Sequence, residues 1–232
     1  IVLGILLLVV WSTQAISVMS EFYARSVYPV ISLCLSSFSR LFPFAIGDLF
    51  IFLSIIGVIA YPIYGRIKKQ PWKKIVLRDG EYLLWIYVWF YLAWGLNYSQ
   101  KNFYEYIRHL NNSYVPITGI DKNRVCKEAV KGYKQISDTL GIHRPPYDSP
   151  RAKTMLFTPL ISMVGVSGSM GPFFCEFTLN GDLPPSQYPA TYTHELAHLL
   201  GITSEAEANF YAYEVCTRSQ VESIRFSGYF SI

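Results

Sequence analysis

Residues 194–198 read His-Glu-Leu-Ala-His. Two histidines at i and i+4 leave the same face of a helix, one turn apart. That spacing lets both imidazoles reach one zinc ion. Glu195 lies about 100° further round the helix, where its carboxylate can meet a metal-bound water. Zinc lowers the pKa of such a water to about 7, and the carboxylate then takes its proton.

A catalytic zinc needs a third protein ligand and keeps one position open. No histidine follows residue 198, so a three-histidine arrangement completed downstream is excluded within this sequence. Glu205 and Glu207 compete for the place. Ser204-x-x-Glu207 has the form of a capping box, which gives Glu207 a structural task at a helix start. Glu205 shares a helical face with Ala208, Asn209, Ala212 and Cys216, small residues that permit close approach to the His194/His198 helix. We therefore assign His194, His198 and Glu205 as metal ligands and Glu195 as general base, with Glu207 the competing ligand. Asn209, four residues after Glu205, is placed to hydrogen-bond a ligating histidine. An oxyanion needs a donor; His143, Tyr188, Tyr192 and Tyr213 all carry one. A packing role suits each of them better, and the sequence does not choose.

The elements that hold these residues are legible around them. Pro189 suits the first turn of a helix over 189–200, and Gly201 suits its end. A second helix runs over 205–218. Asp121 caps a helix ending before Gly141, on the apolar stripe Val125, Ala129, Tyr133, Ile136 and Leu140. HRPPYDSP (143–150) reads as a loop. AKTMLF (152–157) and FFCEFTL (173–179) read as strands, separated by the Gly/Ser-rich GVSGSMGP, and Asn180-Gly181 is a turn signal. The 173–179 segment is expected to be an edge strand able to pair with an extended peptide.

The first hundred residues have another character. Of the 232 residues, 51% are hydrophobic and only 16% charged, against about 25% charged in soluble domains. Apolar residues this plentiful exclude disorder. Residues 1–96 hold 8 Lys/Arg and 4 Asp/Glu, and residues 97–232 hold 12 of each. The basic excess thus lies in the apolar half, and no basic face of a folded domain points to nucleic acid. Three segments predict transmembrane helices: 1–11, read as the tail of a longer apolar run, then 42–64 and 82–98. Between the last two, residues 66–78 hold six Lys/Arg and no acid. Short loops of this kind stay cytoplasmic, which puts everything after residue 98 on the outer side. Residues 14–41 lie on that side, with turns suited to the interface. The four cysteines, with no CxxC, support neither a thiolate zinc site nor a disulfide scaffold.

WGLNY (94–98), PFFCEFTLN (172–180), HELAHLLG (194–201) and EAEANF (205–210), with LFPFAIGD (41–48) ahead of the second span, together resemble a bacterial membrane family catalogued as domain of unknown function 3810. The resemblance covers essentially the whole chain. The HELAH motif with a downstream Glu is also similar to gluzincin metallopeptidases, whose Glu ligand is followed four residues later by Asp or Asn. That likeness implies the same His194, His198, Glu205, Glu195 and Asn209 roles. Gluzincins usually set the Glu further from the second His than the seven residues found here. The family also implies a chain that continues past residue 232.

The expectation is an α+β chain with three N-terminal transmembrane helices (1–98) and an extracytoplasmic zincin-like domain (99–232). It would be a multi-pass bacterial membrane protein that uses Zn2+ to hydrolyse peptide or protein substrates. The alternative is a non-catalytic membrane sensor or assembly factor that retains a structural zinc.

Overall fold

The computed structural model describes residues 1–100, 121–140 and 150–231. Its architecture is helix-dominated α+β with one small sheet. Helix α1 (Val2–Ala15) is followed by α2 (Ser17–Phe22), a turn of π-helix over Tyr23–Val27 and α3 (Tyr28–Ser39). Helices α4 (Ile46–Ile67) and α5 (Trp72–Ala93) form an antiparallel hairpin. Gly65 lets the two approach: a Cβ there would lie 2.8 Å from the Ile75 side chain. Further along, Tyr82 donates to Ser54 Oγ at 2.9 Å. A 3₁₀ turn over Gly95–Ser99 leads away from α5.

The described residues contain one helix long and apolar enough to cross a bilayer, α4, not three. A second appears only if α1 and the Ser17–Ser39 run are taken as one span, and those are bent by 100°. Residues 2–11 fall in α1, which runs on to Ala15 before the bend. Residues 82–98 are only the second half of α5, and the helix ends at Ala93. The first half of α5 carries Lys73, Lys74, Arg78, Asp79 and Glu81.

After α6 (Lys122–Leu140) come β1 (Lys153–Thr154), the short helix α7 (Thr158–Met163), β2 (Gly168–Gly171) and β3 (Glu176–Leu179). The sheet order is β1-β3-β2, with β3 parallel to β1 and antiparallel to β2. This corrects two expectations. The strand over 152–157 shrinks to two residues, because Pro159 begins α7 almost at once. The 173–179 segment has no free edge, since β3 is paired on both sides and buried throughout. The edges are β1 and β2, the latter inside the Gly/Ser-rich stretch. The loop over 143–149 lies outside the described residues.

Helices α8 (Tyr188–Leu199), α9 (Glu205–Thr217) and α10 (Glu222–Phe230) complete the chain. Pro189 sits in the first turn of α8. Gly201 follows that helix at φ +94°, and Ile202 N–H returns to Ala197 O at 3.0 Å, a left-handed cap that favours glycine. A Cβ at Gly201 would also lie 3.0 Å from Asn97 Oδ1. One hydrophobic core runs through both halves, joining Val10, Tyr28 and Leu96 to Phe177, Leu196 and Tyr211. All four cysteines are free thiols.

Sheet and helical hairpin are tied by a buried ion pair. Lys153 Nζ lies 2.5 Å from Glu176 Oε2, both side chains 3% exposed. Lys153 also donates to Ser39 O at the end of α3. Glu176 Oε1 accepts the Gly47 N–H in the first turn of α4 at 2.6 Å, where the helix dipole favours negative charge. Removing one member of such a pair strands the other charge. Lys153→Met is therefore expected to cost about 3–5 kcal/mol, read as a loss of thermal stability in detergent. A loss under about 1 kcal/mol would show that the pair does not hold the sheet to the hairpin.

Candidate metal centre

Helix α8 presents His194 and His198 on one face, as their spacing requires. Their Nε2 atoms lie 3.0 Å apart. Glu205, the first residue of α9, brings one carboxylate oxygen to 3.1 Å from His194 Nε2 and the other to 3.3 Å from His198 Nε2. Two ligand atoms on a tetrahedral zinc, each about 2.0–2.1 Å from the metal, stand about 3.3 Å apart. The three donors fit that spacing.

The surrounding hydrogen bonds suit the same task. The His198 Nδ1 position faces Ile202 O at 2.6 Å, so Nδ1 carries the proton and Nε2 is left with its lone pair. Asn209 hydrogen-bonds the His194 side chain. Burial, then the neighbouring His198, holds His194 below the usual imidazole pKa. It stays neutral at pH 7, the form that binds metal. At the start of α9, Ser204 accepts the Glu207 N–H at 3.4 Å. Ser204 thus caps α9 through the Glu207 backbone, and Glu205 stands with the histidines.

Glu195 faces the opposite wall. It is 5% exposed, and its Oε2 has no hydrogen-bond partner among the described residues. A buried, unpartnered carboxylate oxygen is costly unless a cation or a reacting group accompanies it. Burial, followed by the charge of Glu205, pushes its pKa up to about 8. Gly168 on β2 makes the room: a Cβ there would lie 2.5 Å from Glu195 Oε1, closer than any side chain can sit.

These groups open into a cleft of about 1130 Å³. Its walls are the Gly165–Met170 stretch, the end of α5 at Phe90 and Trp94, then Tyr98, Phe210 and Phe230. Of the four oxyanion candidates, Tyr213 lines the cleft, its ring edge-on to Tyr229. Tyr192 is buried, and its hydroxyl donates to Pro150 O. Tyr188 stacks on Tyr192 and is not part of the cleft wall. His143 lies outside the described residues.

Sequence reasoning missed Gly168, Trp94 and Tyr98. Trp94 Nε1 donates to His198 O at 2.8 Å, fixing that histidine's own backbone. Tyr98 packs edge-on against Trp94 and lines the cleft. A signal existed in WGLNY, whose aromatics read equally well as anchors at the end of a span.

Fold and site together define a helix-dominated α+β protein with a preformed His-His-Glu cluster beside a buried carboxylate. The chain belongs to the family described as "Protein of unknown function (DUF3810)", whose model matches residues 23–116 and 104–232. No curated protein and no solved structure matches it.

The raised pKa of Glu195 has a thermodynamic consequence. Between its ordinary value of 4.5 and about 8, the folded metal-free chain holds a proton that the unfolded chain has released. Stability from this group is complete below pH 4.5 and falls as pH rises through 8. Denaturant unfolding of metal-free protein should show a loss on the order of a few kcal/mol across that window. Glu195→Gln should remove it. An equal loss in that variant would assign the effect to other groups.

Proposed function

We propose that this chain is a membrane-anchored zinc metallopeptidase that cleaves peptide bonds on the extracytoplasmic side. One observation carries the reading: three metal-compatible donors converge beside a buried, unpartnered carboxylate in an open cleft. Among the described residues the cluster offers three protein donors and no fourth. A structural zinc site would be closed by four.

His194, His198 and Glu205 would hold the metal, and bound zinc would acidify a water and polarise a carbonyl. Glu195 then takes the proton at its free Oε2 and delivers it to the leaving amine. Gly168 keeps the space that this oxygen needs. Asn209 and the Ile202 carbonyl orient the two imidazoles. Tyr98 and Tyr213 are the tyrosines of the cleft wall, placed to donate to a developing oxyanion. The free edge of β2 lets an extended peptide add a strand next to Glu195.

The orientation follows from charge. Residues 66–78, with six Lys/Arg, join α4 to α5 at one end of the hairpin. The metal cluster lies by the opposite end, where Trp94 follows α5. A cytoplasmic basic turn therefore puts the cluster outside, with α4 of 22 residues spanning about 33 Å between them.

Purified protein should hold about one zinc per chain. His194→Ala, His198→Ala and Glu205→Gln should each lose most of it, while Glu207→Gln should keep it. Zinc retained in all of the first three variants would reject the ligand set. Glu195→Gln should stay folded and zinc-replete yet lose about 10²–10⁴ in cleavage rate. A zinc-loaded wild type that cleaves nothing across a diverse peptide library would instead favour a sensor or assembly role.

A further inference from the structure

From Thr154 to Cys175 the chain runs 22 residues without Asp, Glu, Lys, Arg or His. The charges that bound this stretch, Lys153 and Glu176, are buried against each other. Its centre is nevertheless on the surface. Leu160 is 64% exposed, Met163 83% and Val164 70%, with Leu156 and Phe157 also exposed. The hydroxyl of Ser162 on α7 is bound to Asp182 and Asn180, which leaves the apolar side chains outward. An apolar ridge this large, with no charge in it, marks an interaction surface.

Its position selects the partner. The Phe157 ring packs on Phe52, 5.5 Å between centroids, and Phe52 lies almost two turns into α4. Leu156 N–H donates to Asp48 Oδ2 at 3.3 Å. The ridge thus lies alongside the first turns of α4, and its exposed residues continue the exposed Leu49, Phe52 and Leu53 of that helix. Trp89 and Tyr98, both exposed, stand at the same end of the hairpin, as side chains that collect at the head-group level do. Gly165 and Val166, where the ridge ends, are already cleft wall.

We infer that residues 156–166 are seated in the lipid of the leaflet where α4 begins, so that the metal cleft opens at the bilayer surface. This rests on the membrane reading above and deepens it. A short apolar helix lying in the interface buries its face about 5–10 Å deep, which suits a six-residue helix held beside a span. Substrates reaching such a cleft are juxtamembrane segments of chains that are themselves anchored in the bilayer. Free soluble peptides have to reach the same mouth from the aqueous side.

The test uses the full chain in phosphatidylcholine–phosphatidylglycerol vesicles. Cys34 and Cys126 are replaced by Ser; Cys175 and Cys216 are buried and stay. An environment-sensitive NBD label is placed at Met163→Cys or, as a second site on the ridge, Leu160→Cys. Matching labels go at Ile56→Cys in α4 and Glu222→Cys on α10. Labels at 163, 160 and 56 should lose on the order of twofold in emission to acyl-brominated lipid and resist aqueous iodide. The label at 222 should behave in the opposite way. Quenching of 163 and 160 by iodide, with 56 still quenched by lipid, overturns the ridge and leaves the anchor. Protection of 163 and 160 from both quenchers means a protein surface covers the ridge, and overturns it too. Loss of lipid quenching at 56 as well removes the membrane reading, and the inference with it.

Discussion

The last turn of α8 is the constraint on which the site depends. A helix leaves its final carbonyls without intrahelical partners, and buried ones must find donors elsewhere. Ala197 O and His198 O accept the Ile202 and Gly201 N–H groups, and further donors come from the other half of the chain. Trp94 Nε1 takes His198 O, the Tyr28 hydroxyl takes Leu199 O, and Gln100 Nε2 takes Gly201 O. Each bond contributes only about 0.5–1.5 kcal/mol net, but each carbonyl left bare would cost about 1–3 kcal/mol. The N-terminal helices therefore do more than carry the domain. They complete the helix that bears the histidines, and Trp94 holds the very residue that supplies one imidazole.

A second tie works from the other side of the cleft. The Lys153–Glu176 pair bonds to Ser39 O and Gly47 N–H, so the sheet is fixed to the corner between α3 and α4. Buried ion pairs are weak as net stabilisers, yet intolerant of losing one member. That intolerance is what fixes position here. β3 cannot slide without stranding a charge, and β2, registered on β3 from Gly168 opposite Leu179 to Gly171 opposite Glu176, is fixed with it. Gly168 consequently meets Glu195 at a set separation.

What the sequence disclosed was local. Histidine spacing, Pro189, Gly201 and the Ser204 cap are all written within one or two turns, and α8 and α9 begin and end within a residue of where these signals put them. The cluster was legible for the same reason, since i and i+4 bring two imidazoles to one helix face and Glu205 begins the next helix. What was not legible is set by tertiary pairing. β2 reads Gly-Ser-Met-Gly, with no alternation and low strand propensity; it is a strand because β3 makes it one. Of the three apparent spans, 42–64 stands as α4; the other two failed where hydropathy is blind to geometry. A run of apolar residues does not announce a 100° bend after Ala15, nor a helix that stops at Ala93 to aim Trp94 inward. Helix α10 went unnoticed because nothing near Glu222 advertises its start; Val221 makes no side-chain cap.

The strand that faces Glu195 has almost no side chains: two of its four residues are glycine and one is serine. A guest chain lying along such an edge meets backbone, and backbone hydrogen bonds are the same for every residue type except proline. Selection among guests would then rest little on the identity of the amino acid beside Glu195. It would rest on whether a guest can lie extended there at all, and on how far that stretch of guest stands from whatever tethers it. A ruler of this kind would tolerate wide variation in sequence while remaining strict about conformation and distance.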